Sequence, residues 1–100
     1  YEDLRPNTIT YNSVINAHAK SRERGAAQRA EEILKQMLEL FEDGREECRP
    51  EVESFNSTID AWARSKDANA GNQAETLLKE MENNFQEFIQ HQIDLAKILH

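Results

Sequence analysis

The sequence predicts an all-α protein: an α-solenoid of tandem antiparallel helix-turn-helix repeats, two hairpins followed by a C-terminal helical segment. Three observations lead there. The stretch RPNTITYNSVINAHAK, residues 5–20, returns 44 residues later as RPEVESFNSTIDAWAR, residues 49–64. At that offset residues 5–38 align with 49–82 without a gap, and 14 of the 34 pairs are identical. Self-similarity at a fixed period of tens of residues marks a repeat array. Apolar residues recur at helical spacing within each copy, and Gly and Pro fall only at the ends of the predicted elements. The short alternation in Val52–Phe55 is too brief for a strand.

Residues 1–7 read as the end of a preceding repeat or a linker, closed by Arg5-Pro6. The chain opens on Tyr1 with no basic-then-apolar leader, which reads as a segment of a longer array. Repeat 1 spans residues 8–51. Its first helix, about 10–21, carries Tyr11, Val14, Ile15, His18 and Ala19 on one side, with Thr8 or Thr10 as its cap. Arg22–Gly25 is a charged turn. The second helix, about 26–43, buries Ala26, Ala30, Ile33, Leu34, Met37, Leu38 and Phe41, and Gly44 stops it.

Repeat 2 spans residues 52–84, with helices at about 54–66 and 72–84. Phe55, Ile59, Trp62 and Ala63 face inward on the first, and Ala74, Leu77, Leu78, Met81 and Phe85 on the second. Residues 85–100 form a helical extension or cap. Phe85, Phe88, Ile89, Ile93, Ala96 and Leu99 continue a helical stripe there: either the fourth helix continues as one long rod or a bend near Asn83-Asn84 opens a fifth helix, the second being the favoured reading. Such a helix would cover the core edge that a repeat array leaves open.

Composition narrows the function. The net charge is −7, divided as −2 over residues 1–50 and −5 over 51–100, while nucleic-acid binders usually carry a basic field. That balance argues against RNA affinity for the chain as a whole and leaves room for a locally basic face. No apolar run is long enough to cross a membrane. Cys48 is the single cysteine, set in a polar loop, so no intrachain disulfide forms. The sequence holds no Ser/His/Asp set, no HExxH and no glycine-rich phosphate loop. His91 and His100 lack companions at ligand spacing. No enzyme, metal or cofactor is expected. Glu31 and Glu75 read as solvated acids, His18 and Trp62 as core or boundary residues.

Thr10-Tyr11-Asn12-Ser13-Val14-Ile15, then Lys20, then Ala30-Glu31 through Met37, resembles the pentatricopeptide repeat (PPR), a relative of the tetratricopeptide class. The second copy matches through Ser54-Phe55-Asn56-Ser57-Thr58-Ile59, Arg64 and Ala74-Glu75 through Met81, opened by Pro50-Glu51. The resemblance covers about residues 5–82. The family repeat runs to about 35 residues, near the roughly 34 of the tetratricopeptide unit, whereas this one has 44. The extra length falls in the turn within each hairpin and around Leu38–Arg49.

The resemblance implies single-stranded RNA binding at one base per repeat, by a nuclear-encoded protein acting on transcripts in a mitochondrion or plastid. It places base reading on Asn12 with Glu51, on Asn56, and on Asn7 for an upstream repeat. Ile9 would sandwich the base, and Lys20 and Arg64 would approach phosphates. Asn in that position implies a pyrimidine, and an acidic partner favours U over C. Asn12 and Asn56 also suit satisfaction of a first helical turn, the second more than the first, and each cation suits a helix C-terminus. Glu53 stands where Ile9 stands in the first copy. The alternative is a helical-repeat scaffold that binds protein partners or a second copy of itself.

Overall fold

In the computed structural model, which describes residues 5–98 (the side chains of residues 87–89, 91 and 92 excepted), the chain is all helix and turn. There is no strand among the described residues. Four α-helices follow in order: α1 (Thr8–Lys20), α2 (Ala26–Glu42), α3 (Val52–Arg64) and α4 (Ala70–Ile98), with a short 3-10 helix at Glu46–Cys48 between α2 and α3. Helix α1 packs on α2 and on α3, α3 packs on α2 and on α4, and the 3-10 helix leans on α1 and α2.

The helix starts differ from the sequence expectation for a local reason. Neither Thr8 nor Thr10 caps α1. Asn7 does, its Oδ1 accepting from the Thr10 backbone N–H at 3.1 Å and from the Thr10 hydroxyl at 3.2 Å. Thr8 instead donates across the fold to the backbone carbonyls of Glu47 at 3.1 Å and Arg49 at 2.6 Å. Helix α3 begins two residues before Ser54, with Glu51 as its N-cap. The Glu51 N–H donates to Ser54 Oγ at 3.0 Å, and the Ser54 N–H donates to the Glu51 carbonyl at 2.9 Å. An orphan donor of the first turn is satisfied on each side. At the other end of α2, Gly44 adopts φ +99° and lets the Arg45 N–H reach back to the Leu40 carbonyl at 3.0 Å, which is how that helix closes.

One cluster of buried side chains joins the four helices. Ile15 and Ala19 of α1 meet Ala27, Ala30 and Leu34 of α2, Phe55, Ala61 and Trp62 of α3, and Leu77 of α4. Phe85 reaches Phe55 edge-on, with centroids 6.0 Å apart and planes at 86°, an arrangement aromatic quadrupoles favour. A second cluster joins Tyr11, Met37 and Cys48. Cys48 is therefore not an incidental loop thiol. It is buried, and its Sγ donates to the Pro6 carbonyl at 3.5 Å.

The C-terminal end corrects a further expectation. Helix α4 runs unbroken through Asn83-Asn84 to Ile98, so among the described residues no separate fifth helix opens there. Asn84 donates its Nδ2 to the Glu80 carbonyl one turn back at 2.8 Å, which folds its amide along the helix rather than ending it. Neither Gly nor Pro follows Gly71 to interrupt propagation. Ile93, Leu95 and Ile98 are exposed. The expected inward placements of Phe88, Ile89 and Leu99 lie outside the described residues.

Candidate nucleic-acid interface

The expected base-reading residues divide into one connected group and several outliers. Asn12 is buried between α1 and α3 at 8% exposure, and its Oδ1 accepts from Ser54 Oγ at 2.5 Å. The same Ser54 hydroxyl accepts from the Glu51 N–H at 3.0 Å. The fold thus brings Asn12 and Glu51, 39 residues apart in sequence, to the two sides of one hydroxyl. The capping reaction that starts α3 is what places them. Helix α3 forms here because Glu51 and Ser54 satisfy its first turn; α1 forms because Asn7 does.

What this group can offer a ligand follows from its inventory. The Asn12 carbonyl oxygen is committed to Ser54. Its Nδ2 takes no protein partner among the described residues and is not sealed from solvent, since the one buried side-chain polar atom without a partner is Arg45 Nη2. Glu51 is exposed. One amide donor and one carboxylate acceptor are therefore left.

Asn56, the second copy of Asn12, is exposed and has no side-chain hydrogen bond among the described residues. Asn7 spends its side-chain oxygen capping α1. Ile9 is 73% exposed on the first turn of α1, open to stack on a flat ligand.

Lys20 and Arg64 end α1 and α3, and both line one cleft of about 950 Å³ at the turn ends of the hairpins. The floor is small: Ala19, Ala26, Ala27 and Ala61 leave the space that larger side chains would fill. The rim is cationic. Lys20, Arg22, Arg24, Arg64 and Lys66 line it against the carboxylates of Glu23 and Asp67. Five of the twelve Lys and Arg residues of an acidic chain are thus gathered in one concavity.

Arg64 is paired to Asp60 at 3.2 Å, and Gln28 Nε2 donates to Asp67 Oδ2 at 3.1 Å, tying the two turns together. Glu23 is held by Arg29 at 3.3 Å. Lys20, Arg22, Arg24 and Lys66 have no ion pair among the described residues. Gly25, at φ +83°, makes the turn from the cleft wall into α2, a conformation costly for a residue with a Cβ.

Lys20 and Arg64 are named by the resemblance; Arg22, Arg24 and Lys66, which line the same cleft, are not. Their signal was present: cations at positions 20, 22 and 24 recur at 64 and 66, an alternation that puts them around a turn instead of along a helix face. Glu31 is also not the solvated acid expected. Its side chain is 13% exposed and accepts from Trp62 Nε1 at 3.2 Å.

Among the described residues no group of His, Cys, Asp and Glu could hold a metal ion, and no helix is long and apolar enough to cross a membrane. No family model, characterised protein or solved structure matches the chain.

Proposed function

We propose that the chain is a single-stranded RNA-binding module built from solenoid repeats of the pentatricopeptide kind, reading one base per repeat. The observation that carries the proposal is the cationic cleft. An overall charge of −7 disfavours polyanions at long range, yet the cleft gathers five cations against two carboxylates. Four of those cations lack a protein partner among the described residues. Phosphate contacts supply most sequence-independent affinity for nucleic acid, and the cleft suits a phosphodiester.

Beside it, α1 and α3 lie against each other, and this reading takes them as the first helices of successive repeats. In this reading the phosphates follow the turn ends and the bases lie toward α1. Asn12 Nδ2 would donate to a pyrimidine carbonyl and Glu51 accept from the uracil N3–H, with Ile9 against the ring face. That pairing favours U over C. Asn56 supplies a second, weaker contact. The resemblance of the repeats assigns the RNA to organellar transcripts, in their processing or stability.

One or two bases contribute on the order of 1–3 kcal/mol each, which alone corresponds to dissociation constants from about tens of micromolar at the tightest to weaker than about millimolar. The test is therefore a titration at high protein concentration. Fluorescence anisotropy of labelled oligo(U), oligo(C) and oligo(A) should show pyrimidine-favouring binding that weakens as salt rises. The triple variant Arg22→Glu, Arg24→Glu, Lys66→Glu should lose about tenfold or more and flatten the salt dependence. Equal affinity for the triple variant and the natural chain would remove the reading.

A further inference from the structure

The 44-residue offset pairs each position of the first hairpin with one in the second, and the members of several pairs differ in environment. One set is covered in the first hairpin and open in the second. Asn12, Ala19 and Ala27 are buried, while Asn56, Ala63 and Gly71 are exposed. Leu34 is 0% exposed and Leu78 43%. Glu31 and Glu75 each pair with the Lys four residues on, at 3.3 and 3.7 Å, but their side chains are 13% and 67% exposed. The cover over the first set is α3, which gives Ser54 to Asn12 and the Trp62 N–H to Glu31.

The other set is the mirror of this. Pro50, Ser54, Thr58, Ala61 and Trp62 are buried, whereas their first-copy equivalents Pro6, Thr10, Val14 and Ala17 are exposed and His18 is half-buried. Thr10, Val14, Ala17 and His18 fall at helical spacing, so they form one stripe along α1.

Among the described residues the chain therefore carries both halves of its own internal interface, and neither half is covered by another described residue. The socket is the α3/α4 face of Asn56, Ala63, Gly71, Glu75 and Leu78. The plug is the α1 stripe of Thr10, Val14, Ala17 and His18. We infer that a second copy of this chain docks its α1 stripe onto the α3/α4 face of the first, repeating the α1–α3 packing between molecules. The pairings follow from the internal ones. The Thr10 hydroxyl turns from Asn7 Oδ1, which keeps the Thr10 N–H, and takes the place of Ser54 against Asn56 Oδ1, and the His18 ring takes the place of Trp62 against Glu75. Val14 and Ala17 cover Leu78 and Ala63.

The charges allow it. Helix α1 contains no acidic residue, and its one fixed charge is Lys20 at the last position, so it brings no carboxylate toward Glu75. The contact is heterologous, with different surfaces on the two partners, and repeats in an open line instead of closing on a dimer axis. It does not rest on the RNA reading, although it covers Asn56, to which that reading gives a second base contact.

Sedimentation equilibrium over a range of protein concentrations at about 0.15 M salt, where long-range repulsion is screened within about 8 Å, tests the inference. The natural chain should give masses that rise with concentration beyond the dimer. Val14→Arg blocks the plug and Leu78→Arg the socket. Both positions are exposed, so both variants should keep their helical circular dichroism. Each alone should stay monomeric, and an equimolar mixture should form a 1:1 dimer and stop, through the one intact plug and the one intact socket. Ala17→Glu with Ala63→Glu repeats the test should either first variant unfold. A natural chain that stays monomeric at every concentration overturns the inference, and so does a mixture of two folded variants that does not pair.

Discussion

The two hairpins carry nearly the same residues and use them differently. Ile15 and Ile59, Leu34 and Leu78, Asn12 and Asn56 are identical pairs. In each the first member is sealed under α3, while the second is partly or fully open. Burial of a repeat residue is thus decided by its neighbour, not by its own hairpin. The closing segments differ as well. The first hairpin ends at Gly44 and folds a 3-10 turn whose Cys48 seals the Tyr11–Met37 cluster. The second has no such stop and runs on as the α4 rod.

If neighbours decide burial, matched substitutions in the two hairpins should have unequal costs. The largest difference is expected at the leucines. Leu34→Ala removes a fully buried side chain and should cost about 2–5 kcal/mol, whereas Leu78→Ala should stay within about 0.5–1 kcal/mol as a surface change. Urea unfolding followed by circular dichroism reads both, and equal costs would break the comparison.

The asparagines come next. Asn12→Ala strips the Ser54 hydroxyl of its acceptor in a buried site and should cost about 1–3 kcal/mol. Asn56→Ala should leave stability within about 0.5 kcal/mol and show its effect in RNA affinity and self-association instead.

The smallest effect lies in the 3-10 turn that the second hairpin lacks. Glu47 is held below the ordinary glutamate pKa, chiefly by the hydrogen bond from Arg45 Nε at 2.8 Å. A carboxylate whose folded pKa is depressed stabilises the fold above its unfolded value, and that contribution fades as pH falls through the folded pKa. An NMR titration of the Glu47 carboxyl should give a midpoint that rises toward the ordinary value in Arg45→Ala. An unchanged midpoint would detach Arg45 from the effect.

Much of this architecture was legible in the sequence because the repeat is a property of the sequence itself. The offset located the helices, and the period-3.6 pattern located Ile15, Leu34, Phe55 and Trp62 in the core. The helix starts were misjudged by two residues because the caps are Asn7 and Glu51, and a carboxylate N-cap with a serine three residues on gave a weaker signal than Ser54 itself. The break at Asn83-Asn84 was misjudged because asparagine only weakens a helix and does not end it.

The burial of Cys48 could not be read from neighbours in sequence, since its partner is the Pro6 carbonyl, 42 residues away. At the candidate site, Lys20 and Arg64 were legible from the resemblance. The gathering of Arg22, Arg24 and Lys66 beside them depends on how the two turns lie together, as does the link from Asn12 through Ser54 to Glu51.

The most direct test of RNA binding maps it onto these two hairpins residue by residue. Backbone amide shifts of the natural chain, recorded by NMR during titration with oligo(U), suit an affinity this weak. Shifts should concentrate at residues 20–25 and 64–67, with smaller ones at Ile9, Asn12, Glu51 and Asn56, and little change on the exposed end of α4. Shifts absent at millimolar RNA, or spread over α4 while the cleft stays silent, would contradict RNA binding at the cleft.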